Sequence, residues 1–290
     1  MPAAEITIGE ELVRALINEQ RPDLSDRPVS LLANGWDNMM FRLGDDLTVR
    51  LPRRAAAVPL IQHEQRWLPQ IAIGLPVAIP VPVHSGSAGC GYPWPWSICP
   101  WMVGSIAAAT DFDANTVARQ LGEFLTALHR GAPDDAPVNE FRGVPLADRD
   151  KITQDRLGKL VDHVDTVRAK RVWNDLRETG RWHKAPVWLH GDLHPANILV
   201  DRRGLSGVID FGDITSGDPA TDLAVGWMLF NQAERQVFRA ALGDVDHNTW
   251  RRAKAWALAL SLAYIAGSAD NPLIMGIGKR TLAAVLDDYS

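Results

Sequence analysis

Cysteine is scarce in this chain: of 290 residues only Cys90 and Cys99 carry a thiol. Two thiols build neither a disulfide framework nor a four-cysteine zinc set, and this usage fits a reducing compartment. A surplus of positive charge is also missing. Lys and Arg total 30 against 35 Asp and Glu, a net charge of −5. A general nucleic-acid binder is usually basic, so nucleic acid is not the expected partner. Long hydrophobic runs are absent too. The most apolar stretch, Ala255 to Ala266, covers about three helical turns, whereas a membrane span needs ~20 residues. It reads as a buried core helix, and no membrane partner is expected. The N-terminal MPAAEITIGEELVRAL is acidic and amphipathic, without a basic or strongly apolar leader region, so no signal peptide is expected and the cytoplasm is the expected location. There is no G-X-Y period, heptad array, repeat or Gly/Ser-rich linker.

What is present is an ordinary globular mixture, 46% hydrophobic and 22% charged. The length gives a prior near two domains. Apolar spacing predicts helices over Ile8 to Gln20 and Val58 to Ile71, with strands over Pro28 to Asn34, Phe41 to Leu43, Leu47 to Leu51 and Trp96 to Trp101. Ile79 to Ser85 reads as an edge strand interrupted by proline. After Gly104 the pattern changes. Val117, Leu121, Phe124, Leu125 and Leu128 make a helical stripe, and Asp148 to Thr179 reads as one long helical region with room for a break. Short β pieces at Pro186 to His190, Ile198 to Val200 and Val208 to Ile209 precede helices over Pro219 to Phe230, Glu234 to Leu242, Asn248 to Ala266 and Gly276 to Leu286. A small β-rich part carrying a helix is thus followed by a mostly helical part with a small β insert.

The densest chemical signal is His190-Gly191-Asp192-Leu193-His194-Pro195-Ala196-Asn197, followed by Asp210-Phe211-Gly212. Phosphoryl transfer needs positioning, neutralisation of phosphate charge by metal ions, and a carboxylate to take the proton of the incoming hydroxyl. Asp192 can be that carboxylate. Asn197 offers a neutral carbonyl oxygen, and Asp210 follows a mainly apolar run; both suit Mg²⁺, a hard cation. The two β pieces between Asn197 and Asp210 would form a hairpin holding both ligands at one mouth. A rival reading takes His190, Asp192 and His194 as an H-x-D-x-H set for a zinc or iron hydrolase, which leaves Asn197 and Asp210 unused.

These residues resemble the catalytic and metal loops of protein-kinase-like enzymes. The string HGDLHPANILV…GVIDFGDITSGDPATDLA looks like the aminoglycoside phosphotransferase family in particular. The resemblance implies an α+β, bilobal protein-kinase-like fold with a small β-rich N-lobe and a larger, mostly helical C-lobe. Residues 1–103 would form the nucleotide-binding lobe and residues 104–290 the catalytic and acceptor-binding lobe. It implies ATP or GTP as co-substrate, bound between the lobes with Mg²⁺, and a small-molecule hydroxyl as acceptor. An aminoglycoside is the first expectation; a macrolide, a choline-like alcohol, another sugar, or a catalytically idle nucleotide-binding protein are the alternatives.

Further roles follow from the same resemblance. Arg50 stands on the third strand where members often carry lysine; its planar fork cannot lose its proton, which is compatible with phosphate contact in a different geometry, the alternative being a plain surface arginine beside Arg53 and Arg54. Glu64 falls in the apolar stripe of Leu60, Ile61, Trp67 and Leu68, and a carboxylate there needs a partner, for which Arg50 is the candidate. Gly35 sits in the loop where the nucleotide-covering turn falls, although an ordinary hairpin turn explains it equally well. Cys99 would line the rear of the base pocket, Pro100 would offer its carbonyl to the base and Met102 its N–H. Asp222 would brace the catalytic loop, which His190 opens; both are support residues. Asp218 and Pro219 read as the N-cap and first residue of a helix. Asp213 reads either as a neighbour of the metal or as solvent-facing. The isolated His129, His163, His183 and His247 and most of the 11 tryptophans read as ordinary surface or core residues. A cationic sugar would want an acidic pocket, to which Asp213, Asp270, Asp287 and Asp288 could contribute.

Overall fold

Short strands separated by turns in the first third of the chain pair into a five-stranded antiparallel sheet. The computed structural model describes residues 3–289, which divide into two compact units. The first holds the described residues up to Gly74 together with Ala78–Val103, and the second Leu75–Val77 together with the described residues from Gly104 onward.

In the first unit, helix α1 (Glu10–Gln20) is followed by β1 (Val29–Asn34), β2 (Asn38–Leu43), β3 (Leu47–Pro52), helix α2 (Val58–Ile71), β4 (His84–Gly86) and β5 (Trp96–Pro100). The strand order is β1-β2-β3-β5-β4. Successive side chains on a strand point to opposite faces. Phe41, Leu43, Val49, Leu51 and Ile98 therefore share one face, where they join Val13, Leu16 and Ile17 of α1 in one buried cluster. Full burial of each such side chain contributes about 1.5–3 kcal/mol. Thr48 and Arg50 fall on the other face of β3, paired in register with Cys99 and Ser97 of β5. Helix α2 is tied to β5 by Gln65, whose Nε2 donates to the Trp96 carbonyl at 2.8 Å and the Ser97 hydroxyl at 3.0 Å.

Two expectations need correction here. The strand expected over Ile79 to Ser85 is reduced to His84–Gly86, because Pro80 and Pro82 have no N–H to give to the ladder. The buried line of α2 runs through Ile61, Glu64, Trp67, Leu68 and Ile71, and Leu60 is only half-buried.

The second unit begins with the short strand β6 (Ser105–Ile106) and helices α3 (Ala114–Leu128), α4 (Leu146–Lys159) and α5 (Thr166–Leu176). The β insert follows as β7 (Val187–Leu189), β8 (Ile198–Asp201), β9 (Gly204–Val208) and β10 (Thr215–Gly217). Helices α6 (Ala220–Leu223), α7 (Val225–Leu229), α8 (Gln232–Ala241), α9 (His247–Gly267) and α10 (Pro272–Asp287) complete it. The stripe read in α3 is fully buried from Val117 to Leu128, and Asp113 caps the helix by accepting from the N–H groups of Asn115 and Thr116.

The long region from Asp148 to Thr179 is two helices, since Asp165 caps a new one by accepting from the Arg168 N–H at 2.9 Å. The single helix expected over Pro219 to Phe230 is split into α6 and α7: the N–H groups of Asp222 and Trp227 bond three residues back, to Pro219 and Ala224, which tightens the turns. Helix α9 is buried nearly all round from Thr249 to Ile265 and packs against α4, α5, α6 and α10. The close approach of α10 depends on Gly278, where a Cβ would lie 2.9 Å from the Ser261 carbonyl oxygen. Among the described residues no helix is long and apolar enough to cross a membrane.

Candidate active site

The segment after β7 is shaped by its own backbone demands. Gly191 has φ +85°, and a Cβ there would lie 2.2 Å from the main-chain oxygen of Asp213. Only glycine takes that conformation and that contact without strain. The chain can therefore turn sharply between His190 and Asp192. Asp222 of α6 holds the turn: its Oδ2 accepts from the His190 N–H at 2.8 Å and its Oδ1 from the Gly191 N–H at 3.0 Å. Asp222 is fully buried, and His129 at the end of α3 places Nε2 3.2 Å from the same Oδ2.

His190 is occupied by main-chain groups. Its Nε2 lies 2.9 Å from the Ile209 carbonyl and its Nδ1 accepts from the Asp192 N–H at 3.2 Å. These partners assign the neutral tautomer with the proton on Nε2. The ring also packs 4.4 Å from Phe211, centroid to centroid. With both nitrogens engaged, His190 cannot join a zinc set, and the H-x-D-x-H reading fails on that observation.

Strands β8 and β9 form the expected hairpin, with Ile198 opposite Val208. The Ile209 N–H donates to the Asn197 carbonyl at 2.9 Å, so Asn197 and Asp210 lie at one end of the hairpin. Asn197 is buried, and its Nδ2 donates to the Asp192 carbonyl at 3.0 Å. That orientation leaves the amide oxygen as the atom available to a hard cation. Asp210 is exposed and has φ +64°, a left-handed conformation rarely adopted by residues other than glycine, asparagine and aspartate. An amide oxygen and a carboxylate are the donor chemistry Mg²⁺ prefers, so these residues fit the ion.

Asp192 lies inside this frame with one quarter of its side chain exposed. Arg142, in the loop before α4, places Nη2 3.1 Å from Oδ1. Tyr264 of α9 donates its hydroxyl to the same oxygen at 3.4 Å, and His194 Nε2 lies 3.5 Å from Oδ2. Burial opposes the carboxylate charge. The His194 hydrogen bond and the charges of His194 and Arg142 outweigh it and hold the carboxyl well below the usual range. Asp213 is the opposite case. Burial pushes its carboxyl up against the pull of Arg142, and the charges of Asp192 and Asp210 add to the rise. Asn139 Nδ2 donates to Asp213 Oδ1 at 2.7 Å, while about a third of the Asp213 side chain reaches solvent.

Helix α6 starts at Ala220 with Pro219 as its N-cap, so Asp218 stands one residue before the capping position read from sequence. Its Oδ1 accepts from the Ala220 N–H at 3.1 Å, and Oδ2 also takes the Arg252 Nε at 2.6 Å, a buried ion pair tying α6 to α9. Arg142, Tyr264, Asn139 and the His129–Asp222 contact are neighbours of the candidate site residues that sequence reading missed. Arg142 sits in a loop without periodicity, and Tyr264 lies in the apolar second half of α9, where its spacing reads as core.

In the first unit, Arg50 Nη1 meets Glu64 Oε1 at 2.8 Å, with both side chains buried. Cys99 is buried beside them, and burial pushes its thiol up to about 12, so it is inert as a nucleophile at neutral pH. Pro100 pairs with Leu47 in the sheet, and Met102 follows β5, half-buried. Gly35 closes the β1–β2 turn: its N–H donates to the Asn38 carbonyl at 2.9 Å and its carbonyl accepts from Arg53 Nη1 at 2.8 Å.

Comparison with known proteins extends these observations. The phosphotransferase enzyme family matches residues 28–256. An uncharacterised protein of Bacillus subtilis (strain 168), YcbJ, is 22% identical over 181 residues, or 57% of this chain and 59% of that one. The match thus takes in about three fifths of the length of that relative. Among solved structures, the GDP complex of aminoglycoside 2'-phosphotransferase-IIIa superposes with a TM-score of 0.73 at 21% identity, covering 98% of this chain and 100% of the other. The macrolide 2'-phosphotransferase MphH of Brachybacterium faecium gives a TM-score of 0.61 at 21% identity, covering 87% and 91%. These likenesses establish the protein-kinase-like fold, with a five-stranded antiparallel sheet in the first unit and helices dominating the second. With most of its length matched, the chain belongs to the phosphotransferase enzyme family.

Proposed function

We propose that this protein is a small-molecule kinase that transfers the γ-phosphoryl group of ATP or GTP to a hydroxyl. The observation that carries the reading is the Asp222-clamped loop: it presents an ionised Asp192 while Asn197 and Asp210 stand together at the end of one hairpin. In this reading the acceptor hydroxyl donates to Asp192. Its oxygen forms a bond to the γ-phosphorus as the bond from that phosphorus to the β-phosphate oxygen breaks. The proton passes to the Asp192 carboxylate and the nucleoside diphosphate leaves. Asn197 Oδ1 and the Asp210 carboxylate would hold Mg²⁺, which supplies neutralisation of phosphate charge when bound. Arg50, braced by Glu64, contacts the nucleotide phosphates. Cys99, Pro100 and Met102 would line the base site, and Gly35 would approach the phosphates. His190 and Asp222 keep the loop in shape.

Similarity to aminoglycoside and macrolide phosphotransferases makes those compounds the first acceptors to try. A second reading, a kinase for another small alcohol, is favoured by the Arg142 guanidinium beside Asp192 and by Arg149, whose charge acts on Arg142.

The test is Mg²⁺-dependent consumption of ATP and GTP against a panel of aminoglycosides, macrolides and simple alcohols. Asp192→Ala is expected to lower transfer by 10²-fold or more, about the contribution of a general base, while nucleotide affinity is kept. Asp210→Ala is expected to weaken calorimetric binding of Mg-nucleotide. Transfer by Asp192→Ala at near the wild-type rate, or unchanged binding by Asp210→Ala, would overturn the corresponding role.

A further inference from the structure

Three arginines gather around the loop and helix leading to Asp192, and carboxylates partner only one of them. Arg142 lies 3.1 Å from Asp192 and 3.8 Å from Asp213. Arg149 and Arg156 lie seven residues apart on α4, about two turns, and so share a face. Neither has an ion pair among the described residues.

Arg149 is the more telling of the two. It is only 4% exposed, and its Nε is buried without a hydrogen-bond partner. Its guanidinium stands over the rings of Phe141 and Trp256, 5.6 and 5.8 Å from their centroids. The indole Nε1 of Trp256 is likewise buried with no partner. Two donors on neighbouring side chains thus have no acceptor among the described residues, and a buried cation without an anion is costly. Burial, with the charges of Arg142 and Arg156, pushes the Arg149 guanidinium down to about 10, so it still carries its charge at neutral pH.

The same elements lead to Asp192. Phe141 adjoins Arg142, which touches Asp192. Trp256 lies on α9 with Tyr264, whose hydroxyl also touches Asp192. Trp256 and Tyr264 are eight residues apart, about 12 Å along the helix.

We infer that Arg149, with Arg156 and the Trp256 N–H, receives an anionic group, a carboxylate or phosphate monoester, borne by the acceptor whose hydroxyl Asp192 activates. The inference rests on the kinase reading above and names its acceptor class. A polycationic aminoglycoside would set ammonium groups against guanidiniums that already repel one another. An acceptor carrying an anion would neutralise Arg149 and satisfy the idle indole N–H.

The test is thermal unfolding of the wild-type protein and of Arg149→Met, titrated with sodium phosphate or sodium acetate against sodium chloride at equal ionic strength. In the wild type a saturable rise of about 3 °C is expected once the anion is about tenfold above its dissociation constant. Arg149→Met should lose that rise while melting no lower than wild type without added anion, since a buried unpaired charge gives way to an apolar side chain. Should Arg149→Met not fold, Arg156→Gln at the half-exposed position serves instead and should reduce the rise. An equal rise in wild type and Arg149→Met, or one abolished by Arg50→Met and kept in Arg149→Met, would overturn the inference. So would stabilisation by kanamycin and not by either anion. Failure of the kinase reading is seen separately, as absence of Mg²⁺-dependent nucleotide consumption by a wild-type protein that still binds phosphate.

Discussion

Arg142 and Asp192 form an ion pair at the loop proposed to be catalytic, Nη2 to Oδ1 at 3.1 Å, although fifty positions separate them in sequence. The pair fixes one carboxylate oxygen and leaves Oδ2 facing His194. Arg142 is therefore a positioning residue for the proposed base.

Arg142→Gln tests that role. A charge-assisted hydrogen bond contributes about 1.5–3 kcal/mol, so kcat is expected to fall by roughly ten- to a hundredfold. Arg142 is one of the charges that lower the Asp192 carboxyl, so its removal raises that carboxyl toward the ordinary carboxylate range. A base lost by protonation is then lost at a higher pH, and the acid limb of the kcat profile should move upward. Arg142→Lys should restore part of both effects. An unmoved pH profile in Arg142→Gln would leave the pair a merely structural contact.

Gly191→Ala probes the turn itself. The new Cβ would meet the main-chain oxygen of Asp213, which cannot move aside as a flexible side chain could. Strain at such a residue costs about 1–3 kcal/mol, which lowers Tm by roughly 2–10 °C in a chain of this size. Misplacement of the catalytic group by about 1 Å costs about 10²-fold in rate. Transfer should thus fall far more than stability, and a variant with wild-type kcat would show that the turn tolerates a second shape.

The parts of this architecture that were legible in the sequence share a physical cause. The loop residues Asp192, Asn197 and Asp210 lie within twenty positions, and a hairpin of apolar strands joins the last two. Local spacing therefore carries their geometry. Helix α2 was readable from its stripe, and Glu64 within it signalled the pair with Arg50. What could not be read depends on contacts between distant segments. Arg142 and Tyr264 reach Asp192 from a loop and from α9, and His129 reaches Asp222 from the end of α3. No periodicity marks such residues. Asp218 looked fully explained by its cap because its second partner, Arg252, is more than thirty positions away. Prolines 80 and 82 gave the right warning about their strand, yet the length lost could be known only from the ladder that formed.

Asp288, at the end of α10, offers a pH prediction remote from the catalytic loop. Its carboxylate meets Lys254 Nζ at 2.6 Å, Arg235 Nη2 at 3.2 Å and the Trp227 indole N–H at 3.1 Å. Burial opposes its charge, but the hydrogen bonds from Lys254 and Trp227 and the charges of Lys254 and Arg235 hold its carboxyl below the usual range. A carboxyl depressed in the folded state binds its proton more readily in the unfolded chain, where its pKa is about 4. Its stabilisation is complete above that value and is lost as pH falls through the folded-state value. Asp288→Asn should therefore be less stable than wild type at pH 7 by roughly 1–2 kcal/mol, the scale of a partly buried charge-assisted pair. The difference should hold down to about pH 5 and shrink below pH 4. Urea unfolding at fixed pH steps would measure it, and a gap that stayed constant down to the acid transition would show that the ion pairs at Asp288 do not set the acid stability of α10.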